Sequence, residues 1–157
     1  MKTVFDTNPV GRFMVAGGAV IELLNSGKIL IQKRSSTQDW QSNEWEIPYG
    51  RVAQFEDVFT GFRREIKEET GLSDVEILKP IRIWHTFRGS EKTAASEMIG
   101  ITFHCQTNQK KVVCSREHCD YRWVTPKEAL RIIKIEGIRM DIEALLKQKK
   151  DGEKNIF

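Results

Sequence analysis

The stretch from Gly50 to Leu72, GRVAQFEDVFTGFRREIKEETGL, carries Glu65, Glu68 and Glu69 within little more than one helical turn. Like charges three and four residues apart on a helix repel by roughly a few tenths of a kcal/mol per pair. A sequence tolerates that on a solvated face, and the helical pattern predicts which face it is. At about 100° per residue, Val58, Phe59, Phe62 and Ile66 fall on one apolar stripe directed at a core. Arg63 and Lys67 fall on the opposite, solvated side. Glu65 and Glu69 fall at the edge of the stripe instead, a placement that a cation beside them explains better than a solvated face does.

Two glycines bear on this helix. Gly61 interrupts its middle at a cost of roughly 0.5–1 kcal/mol relative to alanine. Helical side chains lean toward the N-terminus, so Glu65 is expected to point over Gly61 and leave room there for an ion and its ligand. Gly71 follows Thr70 as the expected left-handed cap. Clustered carboxylates are hard oxygen ligands, which favour Mg²⁺, with Mn²⁺ as a substitute, over zinc. Mg²⁺ commonly takes one or two carboxylates together with substrate phosphates. The residue pattern therefore points to chemistry on phosphate esters or anhydrides.

Gly50, Glu56, Arg64-Glu65-Ile66, Glu68-Glu69 and Gly71-Leu72 stand at the spacing of the Nudix box. The chain resembles the Nudix hydrolases at every defined position of that motif, and Trp45-Glu46-Ile47-Pro48 resembles the approach to it. One departure is Tyr49, where many members of the family have a second glycine.

Composition is consistent with one compact domain over residues 1–157: charged residues make up 30% and hydrophobic ones 39%. With 25 basic and 22 acidic residues the net charge is +3, which calls for neither nucleic acid nor membrane as a stable partner. The apolar run Phe13–Leu24 is interrupted by Glu22 and lacks a cleavage pattern, so a strand is expected there and the cytoplasm as the compartment. Three cysteines, Cys105, Cys114 and Cys119, do not make a disulfide framework. Cys114, His118 and Cys119 lack the second pair that a zinc site needs, and Cys105 is expected to face the interior of a strand.

Along the chain, Phe13–Leu24 and Lys28–Arg34 read as strands joined by the Asn25-Ser26-Gly27 turn, followed by a polar loop over Ser35–Asn43. A helix is expected over Asp57–Thr70. Val75–Phe87 and Glu97–Gln106 are long strands, with Ile99, Ile101, Phe103 and Cys105 sharing one face of the second. Lys111–Cys114 and Tyr121–Val124 are expected as shorter strands. Thr125 followed by Pro126 announces a further helix, Ile138–Gln148 a last one, and residues 149–157 a flexible tail. Strands interleaved with helices predict an α/β fold, and the resemblance implies a Nudix-type α/β/α sandwich around a mixed sheet.

The resemblance also assigns roles. It implies Mg²⁺ (or Mn²⁺) ligands in Glu65, Glu68, Glu69 and the backbone carbonyl of Gly50, with Glu56 and Arg64 holding the loop and helix in register. A further acid is expected before the Trp123 strand. Glu117 is preferred as metal ligand or base, Asp120 is its competitor, and a surface role for Glu117 is the plain alternative. The implied reaction is metal-assisted attack of water on a diphosphate, with Glu65 or Glu117 as base and Glu68 close to the reacting groups. Lys33, Arg34 and Tyr49 are candidate substrate contacts, although Lys33 and Arg34 also suit a solvated strand end. Tyr49, Trp84, His85 and Phe87 suit either base stacking or a core. Markers of the ADP-ribose, dinucleoside polyphosphate and coenzyme A subgroups are missing, so the chain is most similar to MutT-like nucleoside triphosphate pyrophosphohydrolases. The expected partner is a small nucleotide, with a homodimer as a further expectation. Alternatives are a nucleotide-sugar hydrolase or a regulatory module that binds nucleotides without hydrolysing them.

Overall fold

The computed structural model describes residues 11–154. Its elements, in order, are β1 (Met14–Leu23), β2 (Lys28–Arg34), β3 (Trp45–Glu46), β4 (Tyr49–Arg51), α1 (Val58–Thr70), β5 (Glu76–Phe87), β6 (Glu97–Thr107), β7 (His118–Val124), α2 (Pro126–Ile132) and α3 (Glu136–Lys154). The main sheet path runs β3-β2-β1-β6-β5, with β7 on β2 and β4 on β1. β1 and β6 run parallel from Met14↔Met98 to Leu23↔Thr107, whereas the other pairs are antiparallel. The sheet is thus mixed.

Alternation along the central strands divides the interior in two. Ala19, Ile21, Leu30, Phe103 and Cys105 pack on Phe62 and Ile66 of α1. Val20, Ile29 and Ile31, pointing the other way, pack on Ala129, Ile133, Ile138, Ile142 and Leu145 from α2, α3 and their connection. A strand places successive side chains on opposite faces, and burying each large aliphatic one contributes about 1.5–3 kcal/mol. The result is an α/β/α sandwich. Cys105 is fully buried, and burial pushes its thiol up to about 12.

The β1–β2 hairpin turns where expected, with Asn25 at φ 59° and Gly27 at φ 65°. Beyond its closed end the two strands separate, since their register covers only Glu22↔Ile29 and Leu23↔Lys28. The segment before the helix fills the split: Ala19 donates to the Pro48 carbonyl at 2.9 Å, and β4 pairs Gly17↔Gly50 and Gly18↔Tyr49. This splay delivers Gly50 to the side of α1.

Several expectations need correction. Lys111–Cys114 is not a strand; it is an irregular segment anchored by the Val113 N–H on the Thr70 carbonyl at 2.8 Å and by the buried Val112. β7 begins at His118, earlier than Tyr121. Residues 149–154 continue α3, and Lys149 pairs with Glu22 at 2.5 Å, so the expected tail is helical there; residues 155–157 lie outside the described range. In α1 the stripe narrows to Phe62 and Ile66, because Val58 and Phe59 at its first turn remain 40% and 47% exposed. Among the described residues no helix is long and apolar enough to cross a membrane.

Candidate active site

The site is built where β4 meets α1. Asp57 caps the helix by accepting from Thr60 N at 3.0 Å, and Gly71 ends it at φ 70° with its N–H on the Lys67 carbonyl. Between these caps Glu65 lies on the bare backbone of Gly50. A Cβ built on Gly50 would fall 2.6 Å from Glu65 Cδ and closer still to Cβ and Cγ. Glycine at 50 therefore lets the Glu65 carboxylate and the β4 backbone come together.

Arg64 organises the acids around it. Its guanidinium grips Glu56 with Nε on Oε1 at 2.8 Å and Nη2 on Oε2 at 2.9 Å. Nη1 donates to Glu65 Oε1 at 2.9 Å and Glu68 Oε2 at 3.2 Å, and Nη2 reaches the Arg51 carbonyl at 3.3 Å. Such two-pronged, charge-assisted bonds fix orientation as well as adding attraction. The Arg64 grip, helped by the Ala53 N–H, lowers the Glu56 carboxyl to about 2. Glu56 and Arg64 thus hold loop and helix together while leaving Glu65 and Glu68 oriented.

Gly61 serves a different purpose from the expected one. A Cβ there would meet Glu56 Oε2 at 2.5 Å and Val52 Cγ1 at 3.2 Å. The space beside Gly61 is occupied by the Glu56 carboxylate.

Glu69 is shifted in the opposite direction from Glu56. Burial, followed by the charges of Glu46, Glu65 and Glu117, raises its pKa well above the ordinary carboxylate range. Its Oε2 accepts from Tyr49 N at 3.2 Å, and its backbone carbonyl accepts from Gln32 Nε2 at 3.0 Å and Ser115 N at 3.2 Å. No arginine or lysine of the described residues pairs with it. Hard-oxygen acids crowded around a carboxylate that has no cationic partner of its own suit a divalent metal ion. The gathering is loose, however: among the described residues no three acidic, histidine or cysteine side chains form a closed ligand cluster.

Glu117 lies exposed in the turn before β7, tied to the box through Ser115, and its charge acts on Glu69. Asp120 stands on β7, 3.8 Å from Arg122, and is not among the charges that raise Glu69. Lys33 is half-buried at the end of β2, opposite Trp45 and Asp120 in register and without an ion pair among the described residues.

Arg34 and Tyr49 face inward, which corrects their expected role as substrate contacts. Arg34 donates to Glu46 Oε1 at 2.9 Å, the Trp40 carbonyl at 2.8 Å and Gln38 Oε1 at 3.2 Å, so its fork is already engaged. The Tyr49 hydroxyl donates to Asp141 of α3, and its ring meets Trp84 edge-on at 5.9 Å. Trp84 in turn donates to Thr102 Oγ1 at 3.0 Å. Of the aromatic candidates, His85 is exposed and bonds Glu97 at 2.9 Å, with Phe87 beside it.

Sequence reasoning gave no role to Glu46, His118, Gln32 or Asp141. Glu46 is 2% exposed and accepts from both Arg34 and His118 Nε2, the latter at 2.8 Å. That pair anchors the residue next to Glu117. The available signal was an acid between the apolar Trp45 and Ile47.

A mixed sheet between helices, with this acidic helix against a glycine strand, defines the class as an α/β/α sandwich of the Nudix type. Residues 14–146 match the NUDIX domain family, and the chain belongs to it. It is 32% identical over 103 residues to Nudix hydrolase 7 of Arabidopsis thaliana, a match covering 64% of this chain and 34% of that protein. It is 30% identical over 112 residues to nucleoside triphosphatase NudI of Escherichia coli, covering 66% of this chain and 77% of that one. The chain thus spans about a third of the Arabidopsis protein and most of NudI. The MutT protein of Methanosarcina mazei Go1 has the same fold, with a TM-score of 0.73 over 91% of this chain and 99% of that chain at 22% identity.

Proposed function

We propose that the chain hydrolyses a diphosphate linkage in a nucleoside triphosphate or another nucleoside diphosphate derivative, by attack of water at phosphorus. The observation that carries this reading is the placement of Glu65 on the Gly50 backbone, oriented by Arg64 and facing the crowded Glu69. The carboxylates of Glu65, Glu68, Glu69 and Glu117 and the carbonyl of Gly50 would hold Mg²⁺, with Mn²⁺ as a substitute. When bound, the metal supplies charge neutralisation for the diphosphate and lowers the pKa of water.

The remaining work belongs to the chain. Arg64 and Glu56 keep the acids aimed, Glu65 or Glu117 takes the proton of the attacking water, and Lys33 supplies positive charge toward the phosphates. NudI is named as a nucleoside triphosphatase, which supports triphosphates as the first class to test. The reading treats residues 1–157 as one catalytic domain working in the cytoplasm on a small nucleotide.

The test is incubation with Mg²⁺ and a panel of nucleoside triphosphates, nucleotide sugars, ADP-ribose and dinucleoside polyphosphates, with products identified. Pyrophosphate released from triphosphates would support the favoured substrate class, and cleavage of nucleotide sugars alone would move the assignment to them. Tight binding without turnover of any compound would overturn the enzymatic reading in favour of a regulatory module.

A further inference from the structure

Phe55 sits in the turn closed by the Glu56 N–H on the Ala53 carbonyl at 3.2 Å, and that turn presents its side chain to solvent with no packing partner. Its side chain is 100% exposed, and its backbone is left-handed at φ 65°. A bulky side chain rarely adopts that region, and strained residues concentrate at ligand sites. Phe55 stands on the rim of a groove of about 720 Å³, within the range of small-molecule sites. Phe13, Val15, Val52 and Val58 give this groove an apolar wall, Arg51 flanks it, and Glu65 closes it at the box end.

We propose that this groove is the nucleobase subsite, with the base stacked on Phe55 against the wall of Phe13 and Val58; the inference rests on the diphosphate reading above. The groove shares Glu65 with the candidate metal site, so an occupant resting on the apolar wall can bring a diphosphate to that site. A nucleotide can do both. Arg51, an exposed lining residue of the same groove, adds positive charge for a nucleotide's phosphates. Base-on-aromatic stacking tolerates any base because each presents a π-face, so an adenine compound is a fair probe.

The test is titration calorimetry in Mg²⁺ with α,β-methylene-ADP and with methylenediphosphonate, which has no base. Phe55→Gly is the informative variant because glycine adopts φ 65° freely, with thermal melting to verify its fold; Val58→Ser is the second. The wild type is expected to prefer the ADP analogue by about 5- to 150-fold, the equivalent of ~1–3 kcal/mol per stacked base. That ratio should fall toward unity in Phe55→Gly and decrease in Val58→Ser. A ratio near unity in the wild type, or one retained in Phe55→Gly, overturns the subsite while leaving the diphosphate reading intact. If neither probe binds and no panel compound is hydrolysed, the diphosphate reading itself fails and the subsite falls with it.

Discussion

At the scale of single residues, two glycines that look alike in sequence do different work, and substitution should separate them. In Gly50→Ala the new methyl occupies the place of the Glu65 side chain. Misplacing a reacting group by about 1 Å can cost on the order of 10²-fold in rate, so Mg²⁺-dependent turnover should fall by about that factor. In Gly61→Ala the methyl meets Glu56 and Val52 instead. The loop should loosen, turnover should fall less than in Gly50→Ala, and a larger loss in Gly61→Ala would show that the roles have been exchanged. Acid should act through Glu56 as well. Its folded pKa of about 2 lies below the ordinary 4.5, so its contribution to stability is complete above pH 4.5 and is lost as pH falls toward 2. Melting temperatures of wild type and Glu56→Gln should therefore converge across that interval; a gap that stays constant down to pH 2 would contradict the Arg64–Glu56 assignment.

At the scale of elements, α1 depends on its ends because its first turn buries little: Val58 and Phe59 remain substantially exposed. Asp57→Ala removes the cap on Thr60 and should lower the denaturant midpoint of unfolding; an unchanged midpoint would show that the cap is dispensable. The caps and turns were legible in the sequence, since Asp57, Gly71, Thr125-Pro126 and Asn25-Ser26-Gly27 act on their immediate neighbours. The capping box between Thr125 and Glu128 formed where proline announced a helix. Elements whose state is decided from afar were less legible. Lys111–Cys114 has strand-like residues, but its Val113 N–H turns to the Thr70 carbonyl at the end of α1. α3 continues through Lys149 because Glu22 of β1, remote in sequence, receives that lysine. Gly61 was misread for a related reason: the wheel shows what surrounds a position on its own helix, whereas Glu56 arrives from the preceding loop.

At the scale of the whole molecule, the site is braced from the far side of the sheet. Tyr49, one residue before Gly50, is tied to Asp141 of α3, which also pairs with Arg82 of β5 at 2.5 Å. Asp141 is fully buried and Arg82 largely so, and removing one partner of a buried pair leaves the other uncompensated. Asp141→Ala should cost about 3 kcal/mol, which is a fall of about 6–12 °C in Tm for a chain of this size; a change under about 2 °C would show that this brace is not structural. The sandwich and the box were visible in the sequence, since the box is local and the strand patterns alternate. The brace was not, because Tyr49, Arg82 and Asp141 meet only after three separate elements have packed.

The proposed diphosphate hydrolysis depends on a metal held by the box carboxylates. Its most direct test is the Mg²⁺ dependence of turnover in Glu69→Gln, on whichever panel compound the wild type cleaves fastest. The structure predicts a variant that melts cooperatively near the wild-type temperature and has lost Mg²⁺-dependent turnover by at least about 10²-fold, whereas a Glu69→Gln protein with wild-type turnover and Mg²⁺ response would contradict the account.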